Sequence, residues 1–152
     1  MKNGKFYTSA MYWVPLIAIY TGARMSEILQ LEKHDIFLDK DTNIWAINIS
    51  DIDPKSSDPD KHVKIDGSYR QTPVHKALIE LGFIDYVQTR NSRLFPDEDR
   101  NNIGKFDKFQ KRFTTYRKQV GVEPQHALEL RDFHSIRHTV RTKLTELRTT
   151  KP

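Results

Sequence analysis

The sequence predicts a helix-dominated α+β fold: a helical body with a small three-stranded antiparallel sheet on one edge. Three observations carry that expectation. The run Met11 to Tyr20 is the most apolar in the chain and reads as a buried helix. Ile103, Phe106, Phe109, Phe113, Tyr116 and Val120 recur at steps of three or four, the spacing of an amphipathic helix. Ile44 to Ile49 alternates as a half-buried strand does, and the stretch from Lys61 to Val74 reads as a hairpin.

The elements follow in order. Met1 to Tyr7 is polar and reads as a frayed end. Thr8 or Ser9 can cap the first helix, which should run to about Tyr20, with Pro15 inside it as a place where it can bend. Gly22 breaks it. A second helix, about Arg24 to Leu31, buries Met25, Ile28, Leu29 and Leu31. His34 to Phe37 is an exit segment or short strand, and Lys40 to Asn43 is a turn. After the strand Ile44 to Ile49 comes Asp51 to Asp60, whose two prolines and four aspartates mark an exposed loop. Lys61 to Ile65 and Tyr69 to Val74 form the hairpin around Asp66-Gly67-Ser68. With Ile44 to Ile49 they make the expected sheet. His75 to Arg90 is helical with a break near Gly82, and Leu94-Phe95-Pro96 leads into a turn. The amphipathic helix ends at Gly121. Tyr116, on its apolar stripe, reads as a core residue. Lys105, Lys108, Lys111, Arg112 and Lys118 lie off the stripe. The last helix starts near Phe133, capped by Asp132, and runs to about Leu147.

At 152 residues the chain is read as one domain, residues 1–152, large enough to bury a core. Its longest apolar run is too short to span a membrane, and its N-terminus has no signal-peptide pattern. With no cysteine, neither a disulfide framework nor a cysteine metal site is available. These features favour a cytoplasmic protein. Charge is unevenly placed. Residues 1–99 hold 12 Lys+Arg against 15 Asp+Glu, a net of −3, whereas residues 100–152 hold 13 against 5, a net of +8. The C-terminal third is therefore where a polyanion would be drawn.

Two stretches carry the chemistry. Thr21-Gly22-Ala23-Arg24-Met25-Ser26-Glu27-Ile28 places an arginine where one helix ends and the next begins, with unpaired backbone N–H groups close by. A guanidinium fork beside a helix start can hold a phosphate. The plainer alternative is a surface arginine paired with Glu27 at i+3. Asp132-Phe133-His134-Ser135-Ile136-Arg137-His138-Thr139 puts His134 and Arg137 on one face of a helix. The alternative for the basic third as a whole is a solvated face with no partner.

Taken together, the two stretches resemble the tyrosine recombinase (phage integrase) family. Its first box is glycine-alanine-arginine with a glutamate three residues on. Its second is histidine-x-x-arginine, often followed by a histidine. Both are intact here, in the right order, more than a hundred residues apart, and the resemblance spans about Thr8 to Leu147. It implies the tyrosine recombinase catalytic-domain fold and site-specific DNA recombination or integration. In that chemistry a tyrosine attacks a DNA phosphodiester and forms a phosphotyrosine link, with no metal or other cofactor. Carried over by residue, the catalytic set is Arg24, Lys64, His134, Arg137 and His138, with Glu27 in support. Lys64 follows from the stretch Lys64 to His75, which fits the family's frame of lysine, turn, arginine, x, branched residue, proline. Lys61 is the fallback lysine, and a solvated edge-strand lysine is the plain alternative for Lys64. Arg24, Lys64, Arg137, Lys105, Lys108 and Arg141 are the expected DNA contacts. The implied partners are duplex DNA and other recombinase protomers on it, a tetramer in the full complex, and no membrane.

The sequence departs from the family at its end. The family's nucleophilic tyrosine lies beyond the second arginine, but the last tyrosine here is Tyr116. The expectation is a partial catalytic domain lacking both the tyrosine segment and the N-terminal DNA-binding arm, unable by itself to cut DNA. The alternative function is a non-catalytic DNA-binding remnant of a prophage integrase, and a type IB topoisomerase domain is more distant. Two other readings carry less. His134 and His138 have metal-ligand spacing, with His126 as a third candidate, but Ser135 stands where a zincin needs glutamate. The basic helix from Lys105 to Lys118 could lie on an anionic membrane, but the domain needs its aromatic stripe as core.

Overall fold

A computed structural model of the chain describes residues 8–50, 56, 61, 69–101, 105–122 and 132–149. Its elements are helices α1 (Ser9–Thr21), α2 (Met25–Leu29), α3 (Lys76–Glu80), α4 (Phe83–Gln88), α5 (Asp107–Gln119) and α6 (Phe133–Thr149), with strands β1 (Ile36–Asp39), β2 (Ile44–Ile49) and β3 (Arg70–Pro73). Chain contacts divide them into two compact units, one of residues 1–25 and 97–152, the other of residues 26–96. The expected fold class is met: a mainly helical chain with one three-stranded antiparallel sheet.

In the first unit Thr8 caps α1, its hydroxyl accepting the N–H of Met11 at 3.4 Å. The helix runs through Pro15, which lies inside it, and buries Ala10, Trp13, Val14, Ile17 and Ala18. It stops at Gly22, whose φ of 63° and ψ of 16° close the last turn with an N–H bond to the Ala18 carbonyl. Only glycine takes this left-handed conformation without strain. Space is short as well, since a Cβ at Gly22 would lie 3.1 Å from Val140 Cγ1 on α6. Gly22→Ala should therefore lower stability by about 1–2 kcal/mol for the backbone alone, plus an overlap cost. Thermal melting should show Val140→Ala recovering the overlap part and not the backbone part.

Helix α5 buries Phe106 and Phe109 at its start, and the rings of Phe109, Phe113 and Phe133 pack edge to face or stacked at 5.1–6.3 Å between centroids. The apolar stripe does not stay buried. Tyr116 is 43% exposed and Val120 52% exposed, which corrects the reading of Tyr116 as core. The aromatic cluster ends at Phe113. The next turn of α5 borders an open groove of about 270 Å³ shared with Val122, Ser135 and Ile136. Arg112, read as an outward-facing cation, bonds the buried carboxylate of Glu98, which also accepts from Thr8 Oγ1 at 3.3 Å. Asp132 caps α6 by accepting the N–H of Ser135 at 3.1 Å.

The second unit is built on the sheet, in the order β1-β2-β3. Ile36 faces Ile47 and Asp39 faces Ile44 across β1 and β2, while Ile49 faces Arg70 and Ala46 faces Pro73 across β2 and β3. The β1–β2 turn is made by the Asp39 carboxylate, which accepts the N–H groups of Asp41 and Thr42 at 2.9 and 3.0 Å. Those bonds hold its carboxyl below the usual range, Thr42 contributing most. The segment His34 to Phe37, read as an exit or short strand, holds both: His34 and Asp35 lie in a 3₁₀ turn, Lys33–Asp35, and Ile36 and Phe37 begin the short strand β1. Of the expected strand Lys61 to Ile65, all but Lys61 lies outside the described residues. Helix α2 is shorter than expected at both ends, though Leu31 beyond it is still buried. Gly82, at φ 84°, separates α3 from α4 as the sequence implied. Ile47, Leu78, Phe83, Val87, Leu94 and Phe95 are among this unit's buried side chains.

Candidate nucleic-acid site

In the first unit the turn after α1 carries Arg24. Thr21 fixes that turn: its hydroxyl donates to the Ile17 carbonyl at 2.7 Å and accepts the N–H of Ala23 at 3.1 Å. Helix α6 meets the same turn from the far end of the sequence. Arg137 Nη1 donates to the Gly22 carbonyl at 2.5 Å, and Val140, three residues on, packs where Gly22 has no side chain. The Gly22 carbonyl is a helix-end acceptor that α1 leaves unused, and a cation suits that end of the helix dipole. Arg24 is two positions after Gly22, so its Cα is at most about 7 Å from that of the glycine that Arg137 holds. The two boxes, 115 residues apart in the case of Gly22 and Arg137, are joined here by a hydrogen bond and a packing contact.

Arg24 and Arg137 are both half-buried. His134 and His138 are exposed on α6, their rings edge to face with centroids 4.7 Å apart. Arg141 continues that row at the next turn and is exposed, as are Lys105 and Lys108 at the start of α5. The row His134, His138, Arg141 follows i, i+4, i+7 spacing, one stripe along the helix.

Among the described residues of the second unit, buried carboxylates are paired with cations in two places. Glu27 is 1% exposed, and Arg70 Nη2 of β3 lies 2.7 Å from its Oε2. Lys61 Nζ lies 2.9 and 2.7 Å from the two Asp35 oxygens and 3.9 Å from Glu32 Oε2. The lysine side chain is 2% exposed and both carboxylates are fully covered. Asp35 Oδ2 also accepts the N–H of Glu32 at 2.8 Å, and Glu32 Oε1 accepts from Ser92 Oγ at 3.0 Å. Burial pushes the Asp35 carboxyl above its ordinary value, outweighing the Glu32 N–H and the Lys61 ammonium that pull it down.

This geometry corrects one sequence expectation. Lys61, the fallback proton donor, is covered and spent on Asp35, so it cannot meet a DNA phosphate. Lys64 lies outside the described residues, as does His126 of the zinc alternative. Among the described residues no group of three or more His, Asp or Glu side chains could hold a metal. None of their helices is long and apolar enough to cross a membrane. Sequence reasoning gave no role to Arg70, Asp35 or Glu32. Arg70 stood in the quoted hairpin frame, and that was its only signal.

Comparison with known proteins gives this arrangement its class. The sequence matches the phage integrase family over residues 4–149, and the chain belongs to that family. Its fold is similar to that of a solved XerH site-specific recombinase bound to difH substrate in a pre-cleavage complex, with a TM-score of 0.57 and 20% identity. That likeness covers 98% of this chain and 38% of the recombinase, so the chain spans well under half the length of its structural relative. No curated protein sequence matches.

Proposed function

We propose that this chain is the phosphate-handling part of a tyrosine-type site-specific recombinase acting on duplex DNA. The observation that carries the reading is the bond from Arg137 to the Gly22 carbonyl, which brings the family's second arginine to the turn that bears its first. Arg24 and Arg137 hold the two non-bridging oxygens of one phosphodiester. Arginine suits this task because it stays charged and forks onto two oxygens. Charge on those oxygens grows as the phosphorus takes a fifth ligand, and fixed donors aimed there lower the barrier. A tyrosine oxygen attacks phosphorus, the bond to the 5′ oxygen breaks, and Lys64 gives that oxygen its proton. His134 and His138 assist proton transfer and phosphate binding, the work an imidazole can do as donor or acceptor. The covalent link conserves the energy of the broken bond for rejoining. Glu27 supports the arginine turn. Lys105, Lys108 and Arg141 contact flanking phosphates, and further protomers assemble on the same DNA.

A second reading, binding without cutting, is favoured for a polypeptide of these 152 residues by one fact: no tyrosine follows Tyr116. The two readings share a test. The chain should bind a duplex of about 30 base pairs, and affinity should fall about 40-fold between roughly 50 and 200 mM salt if three phosphates are neutralised. Incubation with supercoiled or nicked DNA should leave no covalent adduct. A phosphotyrosyl adduct on this polypeptide would contradict the assignment of its tyrosines, and absence of duplex binding would contradict both readings.

A further inference from the structure

We propose that Thr21 is a positioning residue for both arginines, and that it acts through the single peptide group between Gly22 and Ala23. The inference rests on the function proposed above and deepens it. The carbonyl that accepts from Arg137 Nη1 and the N–H that donates to Thr21 Oγ1 at 3.1 Å are the two ends of that one peptide. A trans peptide is planar, and its C=O and N–H point in opposite directions. It is therefore gripped from both sides, by α1 at its N–H and by α6 at its carbonyl. Turning the plane would break both bonds together. The hydroxyl is itself held, since it donates to the Ile17 carbonyl at 2.7 Å. An unbroken chain of hydrogen bonds thus runs from the body of α1 through Thr21 and the peptide to the Arg137 guanidinium. Bonds in such a chain polarise one another.

A threonine hydroxyl that bonds the carbonyl four residues back is common in helices, and Thr115, Thr139 and Thr145 do the same here. Thr21 differs, because its oxygen also accepts an N–H from beyond its own helix. Ala23 is 1% exposed, and a covered N–H needs a partner. Valine at position 21 would fill the same space and leave that N–H without one. The peptide would then turn toward another acceptor and carry its carbonyl away from Arg137. Arg24 follows at the next Cα, about 3.8 Å on, so its direction changes with the same plane. Groups that hold a reacting phosphate must stay within about 0.5 Å of their productive places, so one freed peptide disturbs both arginines.

The test is duplex DNA binding by the 152-residue chain against salt, for Thr21→Val and Thr21→Ser, each alone and combined with Arg137→Ala. Thr21→Val should weaken binding about fivefold at about 0.1 M salt and lower the salt slope by about 0.9 or less, as loss of the shared phosphate contact would. In that background Arg137→Ala should cost less than about twofold more, because residues acting through one network are not additive. Thr21→Ser keeps the hydroxyl, so it should bind like the unmodified chain and restore the full Arg137→Ala effect. Thr115→Val loses the same helix bond away from the arginine turn and should leave binding unchanged. Hydrogen exchange gives a second readout that needs neither DNA nor the valine variant, and it decides the matter if Thr21→Val melts too low to assay. Arg137→Ala should speed exchange at the Ala23 N–H about fivefold, the worth of one hydrogen bond. The Gly22 N–H, bonded to the Ala18 carbonyl, should keep its rate. A folded Thr21→Val chain with unchanged salt slope, a fully additive Arg137→Ala effect, or an Ala23 N–H indifferent to Arg137 would overturn the positioning role and leave the proposed function intact. Failure of the unmodified chain to bind duplex DNA would overturn both.

Discussion

Lys61→Met should destabilise the chain by about 3–5 kcal/mol at neutral pH, the cost of leaving a buried carboxylate without its cation. Asp35 is fully covered and its carboxyl already lies above its ordinary value because of burial. Removing the ammonium deletes one of the influences holding that value down, so it rises further. The sign follows directly. A carboxyl whose folded value is raised binds its proton more readily folded than unfolded. Its contribution is fully present below the unfolded value and is lost as pH rises through the folded one. The deficit of Lys61→Met against the unmodified chain should therefore shrink when the pH is lowered from neutral towards the ordinary carboxylate range. Adding Asp35→Leu should recover most of the loss at neutral pH and remove the pH dependence of the deficit, because a well-packed apolar pair replaces a buried ion pair at little cost. Urea denaturation at neutral pH and at the lowered pH measures all three.

The second large effect is on chemistry. In a recombinase that carries this domain together with its tyrosine, Arg137→Ala should reduce strand cleavage by about 10²–10³-fold, the worth of a single fixed donor aimed at developing charge. Duplex binding should fall by less than about tenfold, the share of one phosphate contact among several. Arg137→Lys should recover little cleavage, since an ammonium cannot both hold the Gly22 carbonyl in this geometry and fork onto phosphate oxygens. Equal losses in binding and cleavage would make Arg137 an ordinary binding residue.

Local signals in the sequence located most of the fold. Thr8 as a cap, Gly22 and Gly82 as breaks, the alternating strand at Ile44 to Ile49 and the Asp132 cap all act within a few residues of themselves, and each is where the pattern placed it. What local patterns cannot carry is pairing over distance. The edge strand Ile36–Asp39 is short and bears an aspartate, so its period is weak, and its partner β2 decides its state. The stripe on α5 identified a helix and overestimated how much of it is covered, because exposure of Tyr116 depends on where the aromatic cluster around Phe113 and Phe133 ends. The candidate site divides the same way. The two boxes were legible as motifs, whereas the bond from Arg137 to a backbone carbonyl has no sequence signature. Lys61 read as the fallback catalytic lysine, and only its distances to Asp35 assign it to the interior.

The central claim is that Arg24 and Arg137 together hold one DNA phosphate. Its most direct test is the slope of log affinity against log salt for a short duplex, measured for the unmodified chain, Arg24→Ala, Arg137→Ala and the double variant, with melting curves to confirm folding. Each single change should lower the slope by about 0.9 or less. The double variant should lose less than the sum of the singles, since both guanidinium groups serve the same phosphate. Unchanged slopes in folded variants, or fully additive losses, would place the two arginines on separate phosphates or none and contradict the account.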